Sequence, residues 1–209
     1  MSRAEVCVIF GGGDAVSADT VKSELSGGEL LIAADSGYIL MEKLGLAAEL
    51  IIGDFDSAPE PVCDNKAVYP VRKDDTDLML AVKAGLTRGC KRFIIFGATG
   101  GRLDHTFAAV QTLAYILDNG AYGSVVSDDV RIELLDPGRY EFPKREGFTL
   151  SLFAYSPKVT GLDIRGAEYS GSDLELCSGF PLGVSNAVSE SVAGLYFKTG
   201  RLLVICSKL

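Results

Sequence analysis

Apolar positions in the first half of the chain come as short unbroken runs separated by longer stretches of helical period. The runs are "VCVIF", "ELLIAAD", "ELIIGD", "AVYPV" and "RFIIFGATGG"; between them lie "YILMEKLG", "TDLMLAVKAGLTRG" and "LDHTFAAVQTLAYIL". Continuous apolar runs bounded by glycine suit strands buried on both faces. In the last helical stretch Leu103, Phe107, Val110, Ala114 and Leu117 fall at spacings of four, three, four and three, which predicts one apolar face. Strand and helix in alternation imply a mainly parallel, Rossmann-like α/β sheet covered on both sides.

After about residue 122 the pattern changes to short runs with turn residues at close intervals: "SVVSDDVRIELLD", "GFTLSLFAYS", "VTGLDIRGAEYS", "DLELCSG" and "AGLYFKTGRLLVICS". In "FTLSLFAY" Phe148, Leu150, Leu152 and Ala154 share one face and Thr149 and Ser151 the other, the period of a strand. "GLYF" and "RLLVIC", separated by Lys198, Thr199 and Gly200, read as a hairpin. The expectation is an α/β domain over residues 1–122 and an antiparallel β-sandwich over 123–209, divided near "NGAYGS".

Composition narrows the class of partner. With 209 residues and 47% hydrophobic content the chain can bury a full core, as a soluble globular protein. Its net charge of −8 disfavours nucleic acid or an anionic membrane surface, both of which reward basic patches, and suits a cationic or metal-complexed substrate. Five scattered cysteines without a CxxC suggest neither a disulfide framework nor a zinc site, so a reducing cytoplasm is expected. "VCVIF" is too short for a signal peptide, and no apolar run reaches membrane-spanning length.

Candidate chemistry collects at strand ends, where open α/β sheets bind ligands. Asp35 follows "LLIAA"; Asp54 and Asp56 follow "ELII"; Asp74, Asp75 and Asp77 follow "VYPVRK"; Arg102 and Asp104 follow "FIIFGATGG". If "GDFDS" continues its strand, Asp54 and Asp56 point the same way. Two like charges about 4 Å apart repel by roughly 4 kcal/mol at an effective dielectric near 20, so converging carboxylates call for a cation. Hard oxygen donors with a single histidine point to magnesium, which binds one or two carboxylates together with substrate phosphates. Each acid also has a plainer reading: Asp74 or Asp75 as N-cap of the helix starting near Thr76, and Asp104 as cap of the next.

The glycine-rich segments match neither standard phosphate motif. "FGGGD" lacks the GxGxxG spacing, and no GxxxxGK[ST] occurs. "GATGGRLDH" combines small residues that let backbone N–H groups approach phosphate with an arginine able to grip it in bidentate fashion, although a tight turn with a surface arginine reads equally well. His105 is read as a structural residue at a helix start.

"AADSG", "GDFDS", "KDDTD" and "GGRLDH", in that order and followed by a β half with "GVSNAVSE" and "GRLLVIC", resemble the thiamine pyrophosphokinase family over nearly the whole chain. The resemblance implies transfer of the diphosphoryl group of ATP to the hydroxyl of thiamine, with Mg2+, giving thiamine diphosphate and AMP. It further implies a homodimer with active sites at the subunit interface.

Carried over by motif, Asp54, Asp56 and Asp77 would bind the metal and the phosphates, with Asp35, Asp74 and Thr76 beside the nucleotide. Arg102 would stabilise charge on the transferring group, and Asp104 would help place nucleotide or thiamine. Ser185 and Asn186 would contribute to the thiamine pocket from the partner chain. Positioning and charge neutralisation are most of what phosphoryl transfer requires, and any of several carboxylates, Asp77 among them, can accept the hydroxyl proton. The chain departs from the family in reading "ADSG" for "ADGG" and in having no tryptophan to stack on the substrate, which leaves Tyr196 or Phe197 as aromatic candidates. The rival readings are a diphosphokinase for another hydroxyl such as a hydroxymethylpterin, a haloacid dehalogenase-like phosphatase using "DFD", and a non-catalytic sensor.

Overall fold

The structure is a computed structural model that describes residues 4–55, 59, 61–70 and 74–209. Two compact units divide it, Met1–Asp128 and Asp129–Leu209.

The first unit carries strands β1 (Val6–Phe10), β2 (Leu30–Ala34), β3 (Leu50–Gly53), β4 (Lys66–Val68), β5 (Arg92–Phe96) and β6 (Tyr122–Val126). Its helices are α1 (Ala18–Glu24), α2 (Gly37–Lys43), α3 (Asp77–Thr87) and α4 (Leu103–Asp118). The strands lie in the order β6-β5-β1-β2-β3-β4, every neighbour parallel. Cys7, Val8, Ile9 and Phe10 are all fully buried, as a strand covered on both faces must be. Val8, Phe10, Ile94 and Phe96 pack with Val21 of α1 and Met41 of α2. The alternate residues Cys7 and Phe93 meet α3 at Gly85, where an added Cβ would stand 3.0 and 2.6 Å from them. β6 extends the parallel ladder beyond β5, so this unit closes later than the pattern change at residue 122 suggests.

The face predicted for α4 is only half right. Val110 and Ala114 are buried, but Leu103 and Phe107 are 82% and 63% exposed, and the helix buries Ala109, Leu113 and Ile116 in their place. The cause is β6: Gly123 presents no side chain, and Leu113 and Ile116 close over it, which rotates the packed stripe away from Phe107.

The second unit holds β7 (Val130–Leu135), β8 (Gly138–Pro143), β9 (Phe148–Ala154), β10 (Lys158–Arg165), β11 (Gly171–Cys177), β12 (Gly183–Asn186), β13 (Val192–Phe197) and β14 (Leu202–Lys208). They pair antiparallel as β12-β9-β14-β7 and as β11-β10-β13-β8. The predicted hairpin of "GLYF" with "RLLVIC" does not form, because β13 pairs with β8 and β10 while β14 pairs with β7 and β9. The connecting residues bond elsewhere: the N–H of Lys198 donates to Thr160 O at 3.0 Å, and the Thr160 and Thr199 hydroxyls meet at 2.7 Å. A turn tied to β10 cannot fold β14 back on β13. The chain as a whole is thus a mixed α/β protein with a separate antiparallel sheet.

Candidate active site

At the carboxyl rim of the parallel sheet the residues following the strands are knitted together by their backbones. Gly11 N–H donates to Phe96 O at 2.8 Å, Gly13 N–H to Gly97 O at 2.7 Å and Asp14 N–H to Thr99 O at 3.0 Å, so the loops after β1 and β5 continue each other's ladder. Strand order reverses between these two strands, the place where open α/β sheets leave a crevice for ligands. Only glycine fits at Gly97, whose φ is 63° and whose Cβ would stand 2.4 Å from Gly11 O. Further along, Asp35 N–H donates to Ile52 O at 2.7 Å and Tyr69 N–H to Gly53 O at 3.0 Å. The ends of β5, β1, β2, β3 and β4 therefore form one belt.

Two left-handed residues stand in this belt. Asp35 has φ 51° and Phe55 has φ 54°. For a phenylalanine that conformation costs on the order of 1–3 kcal/mol and persists only where surroundings enforce it. Here the Phe55 side chain packs against the apolar core, so burial of the ring offsets the turn. The consequence corrects the reading of "GDFDS" as a continued strand: β3 stops at Gly53, and the backbone reverses its twist one residue after Asp54. Asp56 lies outside the described residues.

Other predicted residues are placed as follows. Asp35 and Asp54 follow adjacent strands and are half-buried; Oδ1 of Asp35 and Oδ1 of Asp77 are buried. Tyr38, near Asp35, donates its hydroxyl to Pro59 O, and burial pushes its pKa up, with Glu42 and Asp35 adding to the effect. Thr76, rather than Asp74 or Asp75, caps α3, its hydroxyl accepting from Met79 N–H at 3.1 Å. Asp75 is committed to Lys83 at 2.7 Å, which raises the lysine, and Asp74 is exposed. Asp77 opens the helix.

At the start of α4, Arg102 and Asp104 grip one another, Nη2 to Oδ2 at 2.6 Å and Nε to Oδ1 at 3.2 Å. The pair lifts the arginine and holds the Asp104 carboxyl below its ordinary value, and both stay mostly exposed. Asp104 is not the helix cap but a first-turn residue, and Oδ1 accepts from His105 N–H at 3.1 Å. His105 itself is exposed.

In the second unit Ser185 is exposed with φ 59°, its N–H held by Ser151 Oγ at 3.0 Å. Asn186 is 4% exposed and spends its amide on backbone: Oδ1 accepts from Tyr169 and Ala187 N–H, and Nδ2 donates to Tyr169 O. Of the two aromatic candidates, Phe197 is buried against Tyr140 and Tyr196 lies against the Arg139 guanidinium at 4.6 Å. Tyr169 and Phe180 are the aromatics of this unit most open to solvent, at 72% and 66%. Neither stood out in the sequence, because exposure at a strand turn leaves no periodic signature.

Among the described residues, no three acidic, histidine or cysteine side chains converge into a metal cage. That donor set still fits magnesium, which is held by one or two carboxylates and completes its shell with phosphate oxygens and water. Asp54 and Asp77 offer the hard oxygens this requires.

Glycine-lined loops at a switch point beside acidic strand ends are the kind of place where open α/β sheets bind ligands. A family model described as "Thiamin pyrophosphokinase, catalytic domain" matches residues 21–122. The chain is 28% identical over 186 residues to the thiamine pyrophosphokinase of Bacillus subtilis (strain 168), covering 85% of this chain and 87% of that protein. The crystal structure of Bacillus subtilis thiamine pyrophosphokinase superposes with a TM-score of 0.88 at 26% identity, covering 97% of this chain and 99% of that one. The thiamin pyrophosphokinase structure from Geobacillus thermodenitrificans superposes at 0.84 and 25% identity, covering 98% of each. The chain is thus similar to thiamine pyrophosphokinases in sequence over residues 21–122 and in fold over nearly its whole length.

Proposed function

We propose that this protein transfers the diphosphoryl group of ATP to the hydroxyl of thiamine, releasing thiamine diphosphate and AMP. The observation that carries the reading is the strand-end belt, in which glycine loops at the β1/β5 switch point stand in one rim with Asp35 and Asp54. Small residues there leave room for a polyphosphate against backbone N–H groups. Asp54, Asp56 and Asp77 are proposed to hold Mg2+, which would neutralise phosphate charge when bound. Asp35, Asp74 and Thr76 would lie beside the nucleotide.

Arg102, held by Asp104 without substrate, is assigned to the charge that builds on the transferring group. Because Arg102 is exposed and its partner is two residues away, exchange of the carboxylate for a phosphate needs only a side-chain movement. Asp104, so released, is assigned to placing nucleotide or thiamine. Ser185 is assigned to the thiamine pocket of a homodimer, and Asn186 to the same pocket through the backbone it fixes. An acidic rim suits a cationic thiazolium. Also part of the proposal are a Rossmann-like first domain, a sandwich of the two antiparallel sheets, and a cytoplasmic location; no helix among the described residues is long and apolar enough to cross a membrane.

The test is incubation with MgATP and thiamine, resolving nucleotides and thiamine species by chromatography. Thiamine diphosphate and AMP in equal amounts, both abolished by EDTA, are expected. ADP, free phosphate, or AMP formed only with a different hydroxyl acceptor would overturn the assignment.

A further inference from the structure

The motif "KDDTD" supplies three acids, of which Asp74 and Asp77 are assigned to nucleotide and metal and Asp75 to neither. Asp75 is taken by its own helix instead. α3 ends at Thr87 and β5 begins at Arg92, so the C-terminus of the helix lies at the amino edge of the sheet and its first turn at the carboxyl rim. Thr76 caps that turn, and Asp77 is the first helical residue. Lys83 stands about 9 Å further along the axis, at roughly 1.5 Å per residue. Helical side chains lean toward the N-terminus, and Lys83 reaches back to both Asp75 oxygens, its Nζ 2.8 Å from Oδ1 and 2.7 Å from Oδ2. The ring of Tyr115 on α4 faces the same ammonium, with 5.7 Å from Nζ to the ring centroid.

A lysine–aspartate pair near the surface adds little to the stability of a fold. This one matters for its place. Asp75 immediately precedes the cap, the position from which an apolar staple fixes the angle at which a chain enters a helix. Here a carboxylate and an ammonium make that link. Both side chains are partly buried, and Lys83 is bounded by Asp75 and Tyr115 together. The ammonium also matches the charge of Asp75, which would otherwise add a further anion to the motif.

We propose that Lys83 is a positioning residue: through Asp75 it sets the angle at which residues 74–76 lead into α3, and so the placement of Thr76 and Asp77 against the nucleotide. The role rests on the diphosphoryl-transfer reading and requires no contact between Lys83 and either nucleotide or metal. It acts on the cap, whose hydroxyl accepts from Met79 N–H at 3.1 Å, and on Asp77 next to it. An uncharged side chain at position 83 would release Asp75, let the residues ahead of the helix swing, and leave an uncompensated carboxylate close to a polyphosphate.

The experiment compares wild type, Lys83→Met, Lys83→Arg, Asp75→Asn and the double variant of Lys83→Met with Asp75→Asn. Binding of α,β-methylene-ATP with magnesium is measured by isothermal titration calorimetry; the linkage that diphosphoryl transfer would break cannot be cleaved in this analogue. Kinetics and thermal midpoints are measured alongside. Lys83→Met should weaken analogue binding and lower kcat/KM for ATP about tenfold, with KM for thiamine and the thermal midpoint nearly unmoved. Lys83→Arg keeps the ionic link and should retain most of the affinity. The double variant should bind no more weakly than Lys83→Met, because both changes break one link.

Wild-type affinity in Lys83→Met and Asp75→Asn, or losses that multiply in the double variant, would overturn the proposal. Asp75→Asn carries the same test if Lys83→Met does not fold. Failure of the wild type to bind the nucleotide would overturn the enzymatic reading and this one with it, whereas binding indifferent to both substitutions overturns this one alone.

Discussion

The side-chain amide of Asn186 clasps the backbone of Tyr169 on both sides, Oδ1 accepting from its N–H at 3.0 Å and Nδ2 donating to its carbonyl at 2.9 Å. Asn186→Ala would leave those groups without their partners, at a cost of about 1–3 kcal/mol. We expect a lower urea midpoint together with a raised KM for thiamine. An unchanged midpoint with raised KM would instead make Asn186 a direct substrate contact.

Asp54→Asn removes a charge at the rim but keeps the shape. Turnover should fall by about a hundredfold or more, with the thermal midpoint nearly unchanged, as should that of Asp56→Asn. Steady-state kinetics across a magnesium titration checks this, and wild-type activity in either variant would remove the metal role.

Arg102→Ala should lower kcat more than it raises KM for thiamine, because its assigned partner is charge that appears during transfer. Its ion pair with Asp104 is exposed and local, so the melting temperature should hold. A loss confined to KM would contradict the assignment.

Gly97→Ala places a methyl 2.4 Å from Gly11 O at a left-handed φ, and should cost more than about 2 kcal/mol along with most activity. Gly179→Ala meets nothing within 4 Å and serves as control, with an expected effect within about 0.5 kcal/mol. Equal denaturation midpoints for the two variants would mean that the belt tolerates separation.

Burial raises the Cys206 thiol from its ordinary 9.0 to about 11, with Glu133 contributing. The folded state then holds a proton that the unfolded chain gives up first. Stability from this group is fully present below pH 9 and is lost as pH rises through about 11. Cys206→Ala should therefore show a flatter decline than wild type over that window, by at most about 2 kcal/mol, in denaturation series at fixed pH. Parallel curves would place the alkaline loss elsewhere.

Much of the first unit was legible because strands buried on both faces leave unbroken apolar runs, as "VCVIF" and "RFIIF" do. The acidic strand ends were legible for the same reason: a polar residue directly after such a run marks where the strand leaves the core. What was hidden depends on contacts distant in sequence. Phe107 reads as core by period alone, and only the side-chain-free surface of Gly123 explains why the helix turns it outward. Lys198 to Gly200 carry turn chemistry, yet Thr160, far away in the chain, decides which strand follows them. The left-handed Phe55 had no sequence signal, since a bulky residue takes that conformation only under tertiary constraint.

β14 sits between β9 and β7, so the strand at the middle of that row is synthesised after both its neighbours. While the chain is still emerging from the ribosome, β7 and β9 each present a row of unpaired backbone groups to whatever is nearby. The second unit thus passes through a sticky interval during biosynthesis whose length is set by the speed at which the segment from Ala154 to Leu202 is translated. Slower elongation there would favour aggregation over yield, even though the finished fold is unchanged.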